Sequence, residues 1–248
     1  MNLVDCKTAL KTLKSGLPII FPTDTLPAIG CLPKFSKTIY EFKKRDRDKP
    51  LILMGSEQKQ LIDYVHESAK EDYENIASKY WPGALTIVIP ASEKQTTILT
   101  SNDRTLGLRI PNSYIAQSLI RETGPLLTSS ANISGFKGSI TVEGIALDFS
   151  SVAILGPIPW GKRSGKASTI IFWKKSRDWR LIREGDVLVR DCINVFIIIF
   201  CLLIQFLLIG YLTPLASFIE YFLEIKLFPI IALMGLIFLF SAKNIEQN

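Results

Sequence analysis

Short apolar runs alternate along most of the chain with longer segments whose apolar positions recur every three or four residues. Cys6 to Ser15 reads as an amphipathic helix that stops at Gly16. "LPIIFPT", Leu17 to Thr23, is too short and too uniformly apolar for a helix and predicts a buried strand. The same contrast continues downstream. Ser36 to Arg45 and Ser113 to Gly124 read as helices, and Ser56 to Tyr80 as one or two more. Strand candidates are Pro50 to Gly55, Ala84 to Pro90, Thr105 to Pro111, Pro125 to Asn132, Ser151 to Pro157, Ala167 to Trp173 and Trp179 to Val187. Buried strands alternating with helices predict an α/β layered domain.

The pattern breaks near Val189 to Cys192. No charged residue occurs between Cys192 and Ile219, and Leu227 to Ala242 is a second uncharged apolar run. As a helix, Ile193 to Thr213 would span about 30 Å, the thickness of a bilayer's hydrocarbon core. A soluble helix of that length shows a polar stripe, which is missing here. The second run would reach about 24 Å, with Pro229 near its start and Lys226 placed to snorkel. The predicted organisation is therefore a domain at residues 1–190 and an apolar tail at 191–248, with transmembrane helices at about 193–213 and 225–242. Arg190 and Lys243 flank the pair while Glu220 and Glu224 lie in the connector, which favours a cytoplasmic body associated with the membrane through its tail. The N-terminus has no apolar core of its own and does not read as a cleaved signal peptide.

Charge separates the same two parts. The tail from Asp191 carries two lysines against four carboxylates, so a formal charge of +6 over 248 residues leaves +8 on the body. A body this basic suits anionic ligands, nucleotides or RNA phosphates. The four cysteines show no paired metal spacing, and nothing implies zinc or a disulfide framework. With a single histidine, Ser-His catalysis would rest on His66 alone, and a surface or capping role suits that residue better.

Four segments draw polar residues to strand ends, where open α/β sheets place ligands. "FPTDTLPAIG" offers Thr23, Asp24 and Thr25 between prolines, residues that serve a capped turn equally well. "FKKRDRDKPL", Phe42 to Leu51, is by charge alone a solvated loop, but it enters a strand, and Lys43 and Arg45 would project together from an extended backbone. "LLTSSANISG" breaks a buried strand into Thr128, Ser129, Ser130 and Asn132, small residues rich in donors and acceptors. Arg109 sits within "TLGLRIP", where a buried guanidinium needs an anion from either the protein or a substrate.

In order along the body, these segments resemble the YrdC-type threonylcarbamoyl-AMP synthase family. Pro22-Thr23-Asp24-Thr25 is similar to its "PT(D/E)T", and Lys43-Lys44-Arg45 with Lys49-Pro50-Leu51 to its "KxR…(N/K)PL". "WPGALT", Trp81 to Thr86, resembles "WPGPLT", and "LGLRIP" resembles "VAVRMP". Ser130 to Gly135 matches "SAN-x-SG", while "ASTIIF" and "LIREGDV" resemble "STVVD" and "ILRPG". The chain departs from the pattern at Pro27-Ala28 (usually Tyr-Gly), at Asp46 (usually Pro) and at Met54 (often His). The resemblance does not cover the tail.

The resemblance implies an open twisted mixed sheet flanked by helices. It also implies an enzyme that forms L-threonylcarbamoyladenylate and pyrophosphate from L-threonine, bicarbonate and ATP. Partner proteins would then transfer the group to tRNA. By motif, Lys43, Arg45, Lys49, Thr105, Ser130, Asn132 and Arg183 look like nucleotide contacts, with Lys43 and Arg45 also serving catalysis. Thr25, Arg109, Thr128 and Ser168 look like the threonine side. Mg²⁺ is expected with the nucleotide's phosphates, no carboxylate cluster marking a protein-built metal site. Two other readings stand beside this one: an RNA-binding module that holds tRNA by its phosphates, and a membrane-anchored homologue without catalysis.

Overall fold

The computed structural model describes residues 1–93, 104–136 and 138–188. The chain divides into two units, Met1–Asp191 and Cys192–Asn248. The second unit, and with it both expected membrane spans, lies outside the described residues. Among the described residues no helix is long and apolar enough to cross a membrane.

Local chemistry sets the first elements. Helix α1 (Cys6–Lys14) is capped by Asp5, whose side chain accepts from Thr8 N at 2.8 Å, and it buries Ala9 and Leu13. Strand β2 (Ile19–Phe21) is buried along its whole length and pairs with β3 (Ala28–Cys31). Helix α2 (Lys37–Lys43) ends sooner than its amphipathic pattern suggests. Lys44 turns left-handed (φ 49°, ψ 46°), Arg45 N donates to Tyr40 O and Lys44 N to Glu41 O, the bonding of a Schellman stop.

Strands β4 (Ile52–Met54), β5 (Leu85–Pro90), β6 (Thr105–Arg109), β7 (Leu126–Ser130), β8 (Ala153–Leu155), β9 (Thr169–Lys175) and β10 (Asp178–Arg183) complete the sheet with the short β1 (Leu3–Val4). Its order is β1-β8-β2-β3-β7-β4-β6-β5-β9-β10. The sheet is mixed: β1–β8, β2–β8, β4–β6 and β5–β9 run parallel, the remaining pairs antiparallel. The expected α/β sheet is present, with α1, α3 (Gln58–Leu61), α4 (Lys70–Tyr80), α5 (Tyr114–Thr123) and α6 (Val142–Asp148) around it.

Three elements escaped the sequence reading. β1 pairs over two residues and β3 over four, too little chain for a period to show. Helix α6 has seven residues with Gly144 among them, and it depends on its Thr141 cap. Between α3 and α4 the chain makes two short 3₁₀ turns. His66 caps the second, its ring accepting from Ser68 N, which is the capping role expected of it.

Helices α1 and α5 cover part of one sheet face. Ala9, Leu13, Ala116, Leu119 and Ile120 pack there with Ile19, Phe21, Leu126 and Leu155. Alternate residues of a strand share a face, so Leu126 in this cluster puts Thr128 and Ser130 on the same side. The core thus gives way to hydroxyl groups along one strand, and beyond the helices that face is open.

Candidate functional site

The open face is a cavity of about 980 Å³. Its floor follows from the strand period: Thr105, Gly107 and Arg109 of β6, Ile52 and Met54 of β4, Thr86 and Val88 of β5, Thr128 and Ser130 of β7. Gly107 keeps the centre low, since a Cβ there would lie 3.5 Å from Ile52 and 3.6 Å from Thr86 side-chain carbons. The walls are four loops: Thr25 to Ala28, Arg45 to Leu51, the turn after β7 with Asn132, Phe136 and Ile140, and the approach to β9 with Gly165, Ala167 and Ser168.

At one end Arg109 is 3 % exposed, and each of its three guanidinium nitrogens donates one hydrogen bond to the protein. Nη2 bonds Asp24 Oδ1 at 2.7 Å, Nη1 donates to Thr25 Oγ1 at 2.9 Å, and Nε donates to Gly83 O at 3.1 Å. The anion that its position demanded is thus, in this state, a carboxylate of the protein. Burial draws the Arg109 pKa below its ordinary value, and Asp24 opposes that shift. The turn carrying Asp24 is braced: Thr23 Oγ1 donates to Leu26 O at 2.7 Å and accepts from Thr25 N at 3.1 Å. Thr128 Oγ1 donates to Ile52 O at 2.9 Å.

Ser168 joins this end to β10. Its hydroxyl pairs with Thr86 Oγ1 at 2.9 Å, and Arg183 Nε and Nη2 donate to its carbonyl at 3.1 and 2.9 Å. The clasp needs Gly185. A Cβ there would collide with Ala167 O and sit 2.5 Å from Thr169 N.

At the other end Arg45 and Lys49 line the cavity. Arg45 stiffens its own loop, Nε donating to Lys49 O at 3.2 Å and Nη2 to Pro50 O at 3.0 Å. Lys49 meets Asp46 at 2.8 Å, a pair open to solvent and therefore weak. Ser130 Oγ donates to Asn132 Oδ1 at 2.5 Å. Every residue expected to touch a ligand therefore borders the cavity except Lys43. Lys43 was expected to project beside Arg45 from an extended loop. It lies instead in the last turn of α2, 1 % exposed, because the left-handed Lys44 separates the two residues' directions.

Sequence reasoning missed the apolar lining of Leu26, Leu51, Val88, Phe136 and Ile140. Phe136 is 72 % exposed at the rim, the only aromatic among the described residues of the lining. The signal was available: a bulky Phe directly follows the small residues of "SANISG". Among the described residues no group of three His, Cys, Asp or Glu converges. The lining offers cations and hydroxyls, a donor set that does not fit a protein-built Mg²⁺ site.

Fold and site together define an open mixed-sheet α/β protein with a cleft lined by cations and hydroxyls. The family model Sua5_yciO_yrdC, described as telomere recombination, matches residues 11–185, and the chain belongs to this family. The threonylcarbamoyl-AMP synthase of Yersinia enterocolitica is 33% identical over 168 residues, covering 65% of this chain and 88% of that protein. That of Vibrio vulnificus strain YJ016 is 32% identical over 186 residues, covering 71% and 96%. Against the Bacillus subtilis threonylcarbamoyl-AMP synthase, 32% identical over 169 residues, the match takes 66% of this chain and only 48% of the relative, about half its length. Sua5 of Pyrococcus abyssi in complex with L-threonine superposes with a TM-score of 0.69 at 28% identity, over 77% of this chain and 59% of that one. YciO of E. coli, 20% identical with a TM-score of 0.65, shares the fold.

Proposed function

We infer that this protein is a threonylcarbamoyl-AMP synthase, which forms L-threonylcarbamoyladenylate and pyrophosphate from L-threonine, bicarbonate and ATP to supply the modification of tRNA. The observation that carries the reading is the convergence of the family's motifs on one cavity, with a buried arginine at one end and Arg45 and Lys49 at the other. The relatives' names and the threonine complex of the Pyrococcus protein support it.

The chemistry suits the lining. Threonine's amine and bicarbonate give a carbamate with loss of water. A carbamate oxygen then attacks the α-phosphorus of ATP, forming the mixed anhydride and expelling pyrophosphate. Such a sequence needs held reactants and neutralised charge rather than a protein nucleophile. Thr25, Arg109, Thr128 and Ser168 take the amino acid. Arg109's terminal nitrogens each carry a second hydrogen beyond those given to Asp24 and Thr25, so a carboxylate can share the guanidinium. Arg45, Lys49, Thr105, Ser130, Asn132 and Arg183 take the nucleotide, whose phosphates bring Mg²⁺ with them. The adenylate passes to tRNA-modifying partner proteins.

Pyrophosphate release, measured with threonine, bicarbonate and ATP each omitted in turn, tests this reading. Release should need all three, and Arg109→Ala should chiefly raise the KM for threonine while Arg45→Ala raises that for ATP. ATP turnover indifferent to threonine, or RNA binding that fades steeply with salt and needs no threonine, would favour the RNA module instead.

The tail places the body on a membrane in this reading, on the strength of its two uncharged runs. Fractionation of cells should leave the full chain in membranes after alkaline carbonate washing. Recovery in the soluble fraction would remove the anchor.

A further inference from the structure

Lys43 does not line the cavity, but its partners belong to residues that do. An ammonium carries three donors, and three oxygens surround this one: Ser130 O, Asn132 O at 2.5 Å and Asn132 Oδ1 at 3.5 Å. All three belong to the end of β7 and the turn that follows. A bond returns in the opposite direction, Ser134 N to Lys43 O at 3.1 Å. The turn is braced within itself as well, Asn132 Nδ2 donating to Ile133 O at 2.9 Å and Phe136 O at 2.8 Å. Burial, with the charge of Arg45 nearby, pushes the Lys43 amine down to about 7. Burying such a group is costly unless it is hydrogen-bonded, and carbonyl oxygens of one turn meet that need here. Ser130, Asn132 and Phe136 line the cavity that Lys43 itself does not reach.

We propose that Lys43 is a positioning residue: its ammonium ties the Ser130–Phe136 turn to the end of α2 and so holds the hydroxyl wall of the cavity in register with the Arg45–Lys49 wall. The two walls come from chain segments more than eighty residues apart, since the bonds join Lys43 to Ser130 and Asn132 across 87 and 89 positions. Arg45 leaves the same helix end two residues later. One buried ammonium thus sets the spacing between the cations and the hydroxyls that face a nucleotide. To reach a phosphate instead, it would have to give up at least one of the three oxygens.

The functional half of this inference rests on the nucleotide reading of the cavity, whereas the structural half does not. The test uses the full chain as wild type, Lys43→Met and Lys49→Ala, each checked for folding by circular dichroism. Amide exchange is followed in the ligand-free proteins, and ATP and L-threonine affinities are measured by calorimetry. In Lys43→Met, exchange over residues 130–136 should quicken about tenfold or more, while Lys49→Ala leaves it unchanged. ATP affinity in Lys43→Met should fall about tenfold or more, with threonine affinity held within about threefold. If Lys43→Met does not fold, Lys43→Gln, which keeps a neutral donor, is read by the same criteria. Weaker ATP binding with unaltered exchange would mark Lys43 as a direct phosphate contact and overturn the proposal. Faster exchange with undiminished ATP affinity would overturn it too. A wild type that binds ATP yet releases no pyrophosphate counts against the synthase reading alone, because neither measurement needs turnover.

Discussion

Asp24 lies in the loop between β2 and β3 and Arg109 ends β6, with β7 and β4 between β3 and β6 in the sheet, yet their side chains meet at 2.7 Å with Arg109 3 % and Asp24 16 % exposed. A pair so sheltered is costly to break from one side, because the remaining charge is left without a partner in a poor solvent. Asp24→Ala should therefore destabilise the fold by about 3 kcal/mol. Asp46→Ala, which removes the open partner of Lys49, should cost no more than about 1 kcal/mol. Urea midpoints of the two variants decide this, and equal losses would mean that Asp24 is not what balances Arg109. The same pair explains why Arg109 could be singled out from sequence while its partner could not. A mid-strand arginine announces a need for an anion, but Asp24 in "PTDT" reads equally well as a turn cap until the fold brings the two together.

Among the elements, legibility followed length and period. Helices α1 and α5 and strands β5 to β7 carry full periods, and all were readable. β3 is four residues behind a proline and α6 contains a glycine, so neither shows a pattern. The cavity residues were readable as motifs because alternation in β6 and β7 necessarily puts Thr105, Arg109, Thr128 and Ser130 on the same side. Lys43 was misplaced for the opposite reason. A helix end with a left-handed residue lies between it and Arg45, and spacing by two holds only in extended chain. Gly107 tests the period directly. In Gly107→Leu the side chain has ordinary contacts at its Cβ and then nowhere to go except into the cavity. The variant should melt near the wild type but lose threonine and nucleotide affinity by about tenfold or more, as a filled pocket requires. Normal affinities in a folded Gly107→Leu would show that the ligands lie elsewhere.

At the scale of the whole molecule, one sheet face does two jobs: part is core under α1 and α5, and the rest is a cleft with cations at both ends. The proposed reaction, which joins a small amino acid to a nucleotide, would use that division by giving each reactant its own end with the forming bond between them. The synthase account makes its strictest demand on carbon, not phosphate, because bicarbonate's carbon must finish inside the adenylate. The direct measurement is incubation of the full-length protein with ATP, L-threonine and isotopically labelled bicarbonate, followed by mass spectrometry of the nucleotides. The account predicts threonylcarbamoyl-adenylate bearing the label, with pyrophosphate in equal amount and neither product when threonine is left out. Pyrophosphate or AMP formed without label in any adenylate would contradict it.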